Sequence, residues 1–94
     1  MYGGQKSIYF RSRDNKIAFG ALREVGKGTM TWPEDESLFV TQGWIKFQVH
    51  GGESFTLNVG HVMMMQKGQT FTFEMSDDFA NVAVFVSDEK ITIV

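Results

Sequence analysis

The sequence predicts an all-β fold, an antiparallel sandwich or barrel of about eight to ten short strands. Three observations point there. From the middle of the chain onward glycine recurs, at Gly43, at Gly51 and Gly52, at Gly60 and at Gly68, and cuts the sequence into segments of similar short length. Between these corners apolar and polar residues alternate with period two, which sends successive side chains to opposite faces of a strand. No segment sustains a helical period.

Taken in order, "SIYF", "KIAFGALREV" and "GTMTW" each hold a strand-like stretch bounded by charge clusters or glycine. Pro33, the only proline, suits a loop and no central strand. The acidic "PEDE" at 33–36 therefore reads as a solvated loop apart from its last member. "ESLFVTQG" follows, and if it is a strand, Glu36 shares a face with Leu38 and Val40, so a carboxylate points inward. "WIKFQVH" alternates Ile45, Phe47 and Val49 against Trp44, Lys46 and Gln48. "SFTLNV" does the same with Phe55, Leu57 and Val59. The Gly-Gly pair after His50 supplies the positive φ of a tight turn, which makes these two strands antiparallel neighbours. Met63, Met64 and Met65 would line the next strand, and "TFTFEM" is the one after it. "SDD" makes a turn, and "NVAVFV", apolar on both faces, reads as a strand sandwiched between two layers. A short "KITIV" closes the chain.

Ninety-four residues are read as one domain, 1–94, and a chain of this size buries roughly 60–70% of the surface its unfolded form exposes. Its composition, 43% hydrophobic and 21% charged, is that of a folded protein. With 11 acidic and 9 basic side chains the net charge is −2, which offers no footprint for phosphate backbones and argues against a nucleic-acid partner. Without cysteine, disulfides and thiolate zinc sites are excluded, and the expected compartment is the cytoplasm. Neither a basic-then-apolar leader nor an apolar run of about 18 residues is seen, so no membrane association is expected.

Two spacings carry a resemblance to a known family. Glu36, six residues, then Gly43 is similar to the end of the first cupin motif. Gly60 and Gly68 keep both glycines of the second motif while its proline is replaced. Within the cupins, the run from Ile17 to Phe47 looks most like the ethanolamine-utilisation-like group of short domains, and the similarity extends over roughly residues 17 to 87. The resemblance implies a small antiparallel double-sheet jelly-roll barrel. It also implies metal ligands, two histidines before the glutamate and one after the second glycine. Counting from Glu36 and Gly68 puts Met30 and Trp32, or Thr29 and Thr31, at the first two positions and Phe71 at the third. A first-row metal would keep one carboxylate and lack its nitrogen donors, so no metal and no cofactor are expected. A metal would need a set outside the family pattern, such as Glu36 with His61.

The functional reading follows from what remains. Glu36 is an anchor for a polar ligand group or an acid or base. In the plainer alternative it is a carboxylate held by backbone or arginine donors, with Arg23 a candidate partner. Trp32 and Phe71 form an aromatic wall for a ligand or else fill vacated volume. With Met30, Phe47, Met63 and Met65 they complete the expected pocket. His50 and His61 read as solvated loop residues. The first expectation is thus a metal-free barrel that binds a small organic molecule. The second is a metal-independent isomerase, cyclase or nucleoside phosphorylase using Glu36. A phosphorylase needs converging basic groups, for which Arg23 and Lys46 are the candidates. The third is a ligand-free barrel used for pairing. Exposed rows containing Tyr9, Phe39 and Trp44 predict a homodimer in all three cases.

Overall fold

In the computed structural model, which describes residues 4–92, the alternating segments become nine antiparallel strands and no helix. They are β1 (Gln5–Arg11), β2 (Ile17–Arg23), β3 (Lys27–Thr31), β4 (Asp35–Gln42), β5 (Trp44–Val49), β6 (Ser54–Asn58), β7 (Val62–Met65), β8 (Thr70–Met75) and β9 (Ala80–Val86). Two sheets face each other, one in the order β1-β2-β9-β4-β7 and the other β3-β8-β5-β6. This is the double-sheet jelly-roll barrel expected from the sequence. No helix of the described residues is long and apolar enough to cross a membrane.

Period-two patterning decides what lies between the sheets. Ala18 and Leu22 of β2, Leu38 and Val40 of β4, Ile45 and Phe47 of β5, Phe71 and Phe73 of β8, and Ala83 and Phe85 of β9 are all buried in one shared core. Register is fixed by the same pattern, because a one-residue slip would turn each set outward. Thus Glu36 stands opposite Met65 on one side and Phe85 on the other.

The turn glycines carry backbone that other residues resist. Gly43 joins β4 to β5 at φ 68°, and a Cβ there would run into the Ser76 hydroxyl, which accepts the Trp44 N–H. In the β5–β6 hairpin only Gly51 of the Gly-Gly pair has positive φ, so one left-handed residue suffices for that turn.

Several local expectations are corrected. "PEDE" is not a solvated loop, because Asp35 opens β4 and Glu34 is buried. Inward parity runs unbroken from Trp32 through Glu34, Glu36 and Leu38 to Val40, straight across the exposed Pro33. The chain end around Ile91 is not a strand: Ile91 is buried and exchanges hydrogen bonds with Asn15, while residues 93 and 94 lie outside the described residues. β9 is covered on one side only, with Asn81, Ala83 and Phe85 buried and Val86 exposed on the other face. Tyr9 and Phe39 are exposed on the five-stranded sheet, whereas Trp44 belongs to the four-stranded one.

Candidate functional site

Glu36 occupies the second position of β4, and strand parity turns its side chain into the barrel, where it is 8% exposed. Its Oε1 accepts a hydrogen bond from the Trp32 indole Nε1 at 3.0 Å. Trp32 is itself fixed on both sides of its backbone, since its N–H donates to the Gln69 carbonyl and its carbonyl accepts from Gly68, each at 2.8 Å. The indole stands edge-on to Phe71 and Phe73, at centroid distances of 5.4 and 6.1 Å. The partner of the carboxylate is therefore a neutral donor, and Arg23, exposed on β2, points away.

Beside this pair is a cavity of about 310 Å³. Met30, Trp32 and Glu36 line it from the β3–β4 side. Ile45, Phe47, Phe73 and Met75 contribute from the four-stranded sheet, and Leu38 and Phe85 from the five-stranded one; Glu24 and Phe79 complete it from the connecting segments. Glu24 is oriented by the buried Asn81, whose Nδ2 donates to its Oε1 at 3.0 Å.

Burial pushes the Glu36 carboxyl up to about 7, against the lowering effect of the Trp32 N–H, and the charges of Glu24 and Glu34 raise it further. Glu34 is also raised, chiefly by burial, with the Arg11 charge opposing; its Oε1 is buried without a hydrogen-bond partner among the described residues.

Of the residues expected at the pocket, Met30, Trp32, Glu36 and Phe47 are brought together around the cavity. Met63, Met65 and Phe71 are not among its walls. Met65 is fully buried in the core, Met63 half-buried against it, and Phe71 lies behind the indole with its ring 5.5 Å from Phe47. Ile45, Phe73, Met75 and Phe85 shared a face with buried neighbours and could have been found by parity. Glu24 and Phe79 lie outside any strand, where alternation gives no signal.

A metal does not fit this donor set. Among the described residues no three of His, Cys, Asp and Glu converge, and Oε1 of Glu36 is already bonded to an indole N–H. His61 does not join it: its carbonyl meets Val40, four residues farther along β4, and its exposed ring accepts the Asn58 N–H. Arg23 and Lys46 are both exposed, on different sheets, so they form no common anion site.

A barrel of two antiparallel sheets with a cavity between them is an architecture shared with cupins. The family model for the EutQ-like cupin domain matches residues 20–81, and the chain belongs to that family. No curated protein matches the chain in sequence. Among solved structures, a Neisseria meningitidis protein is similar at 20% identity and a TM-score of 0.71, covering 93% of this chain and 88% of its own. The EutQ protein of Clostridium difficile is similar at 16% identity and a TM-score of 0.73, over 89% of this chain and 68% of that one. Ectoine synthase from P. lautus is similar at 16% identity and a TM-score of 0.75, over 92% of this chain and 65% of that one. At these identities the likeness is one of fold.

Proposed function

We propose that the chain is a metal-free cupin that binds a small organic molecule in the cavity beside Glu36. The observation that carries this reading is a buried carboxylate facing an apolar hollow. An apolar cavity with a few convergent polar groups is the usual form of a small-molecule site, and about 310 Å³ is at the small end of that range. A barrel kept only as a scaffold would gain stability by closing around apolar side chains, since a buried acid without a cation disfavours folding in its charged form. A thermal-shift screen of small carboxylic, aromatic and sugar compounds tests the reading. A ligand of the folded state raises the midpoint with concentration. A screen in which no compound moves the midpoint contradicts it.

A second reading, a metal-independent enzyme with Glu36 as acid or base, is favoured by the carboxyl being held near 7, where it can both give and take a proton. It requires turnover that disappears in Glu36→Gln while folding survives. The exposed positions of Arg23 and Lys46 disfavour the phosphorylase form of this reading.

We also propose that a second copy of the chain covers the outer face of the five-stranded sheet. Phe19, Val84, Ser37 and Met64 form one ladder across four strands, and Val82, Phe39 and Val62 form another beside it. Five strands about 4.8 Å apart and some seven residues long give a footprint of order 500 Å², of the same order as the ~800 Å² each partner contributes to a stable pair. A face of this kind can meet itself across a two-fold axis. Light scattering should return a dimer for the parent chain and a monomer for Phe39→Lys; a monomeric parent at high concentration contradicts this.

A further inference from the structure

The cavity is graded from its depth to its rim. Trp32, Phe47, Phe73, Phe79 and Phe85 border it with rings that are all buried, whereas Met30 and Met75 are half-buried. Within this wall ring already meets ring edge to face: the Trp32 indole stands at 63° to Phe47 and 81° to Phe73, with centroids 6.2 and 6.1 Å apart. Aromatic groups prefer this arrangement, because the positive edge of one ring meets the negative face of the next. A thioether adds to it, since its polarisable sulfur also rests favourably against a ring.

These features discriminate between ligand bodies. A sugar needs many donors and acceptors, and among the lining side chains only those of Glu24, Trp32 and Glu36 carry nitrogen or oxygen, the Trp32 N–H being already bonded to Glu36. A saturated hydrocarbon would gain from burial alone. An aromatic ring gains from burial as well and adds edge-to-face and sulfur contacts that a saturated ring cannot make. Size sets the upper limit: an apolar cavity of ~150 Å³ holds one benzene, so about 310 Å³ admits one ring with a short substituent or two fused rings.

We infer that the cavity takes a compound built on an aromatic ring, seated against the rings of Trp32, Phe47 and Phe73 with the thioethers of Met30 and Met75 beside it. The inference rests on the ligand-binding reading above and narrows it to aromatic ligands, whatever charge their substituents carry.

Two alcohols with the same head group test it, benzyl alcohol and cyclohexylmethanol, titrated by calorimetry into the full chain. Cyclohexylmethanol is the larger and the less soluble in water, so burial of apolar surface by itself makes it the tighter ligand. Benzyl alcohol should instead bind more tightly, by at least about threefold. Met30→Leu combined with Met75→Leu, swaps that conserve volume and so keep the fold, should shrink this preference while cyclohexylmethanol binding stays in place. An undiminished preference in that variant overturns the part given to the thioethers. Cyclohexylmethanol binding as tightly as benzyl alcohol, or a preference smaller than expected, overturns the aromatic assignment and leaves the binding reading standing. Failure of both alcohols to bind the folded chain overturns both readings.

Discussion

The two halves of the barrel interior start from the same kind of residue and end differently. Around Phe71, Phe47 and Trp32, rings meet rings edge-on at 5.4 to 6.2 Å. Around Glu36, Met30 and Met75 the side chains border a hollow. A ring at Phe71, a position where the resemblance implied an imidazole, consolidates the core. At Trp32 the larger indole both reaches that core and supplies the N–H that holds Glu36. The difference teaches that aromatic and methionine side chains need not fill the inside of a cupin barrel: one part can pack ring on ring while another stays open around its acid.

The largest expected effect lies in the solid half. Phe71→Ala removes a fully packed ring and should cost about 3–5 kcal/mol in denaturant unfolding, as large-to-small changes in tight cores do. A loss below about 1 kcal/mol would mean that the two halves are equally loose.

Next comes the acid. Its ordinary value is 4.5 and its value in the folded chain about 7, so between those limits the folded state holds a proton that the unfolded state has released. The contribution of Glu36 to stability is then fully present below about pH 4.5, declines as pH rises and is gone above about pH 7. About 1.4 kcal/mol for each unit of displacement makes the total about 3 kcal/mol. Denaturation midpoints across this window should show that decline in the parent chain and a flatter profile in Glu36→Gln, with the variant the more stable above neutrality.

The smallest effect belongs to the hollow's wall. Met75 is half-buried and borders open space, so Met75→Ala should cost no more than about 1–2 kcal/mol while weakening any bound compound. A cost equal to that of Phe71→Ala would erase the contrast between the halves.

Much of this arrangement was legible in the sequence, because alternation and turn glycines act locally. Parity alone turned Glu36 inward, and the recurring glycines separated the strands of both sheets. Glu34 was misread for the opposite reason: a charge cluster beside a proline resembles a solvated turn, yet period two continues through Pro33 and carries Glu34 inside. β4 starts early because Asp35 pairs with Val86 and its Oδ1 accepts the Lys67 N–H at 2.9 Å. Those contacts are remote in sequence. The same holds for Glu24 and Phe79, which reach the cavity from connecting segments, and for Met65 and Phe71, whose inward direction was legible but whose distance from the hollow depends on how the two sheets close. The outer face of β9 looked like a buried layer because Val82, Val84 and Val86 are apolar; within one chain nothing among the described residues covers Val86.

The central claim is that a buried acid stands beside a hollow that receives a ligand. Carbon-13 NMR titration of the Glu36 side-chain carboxyl reads this directly. The account expects a midpoint near 7 in the free chain, displaced when the cavity is saturated with a compound that raises the thermal midpoint. A midpoint at the ordinary carboxyl value that stays unmoved by added compound would contradict it.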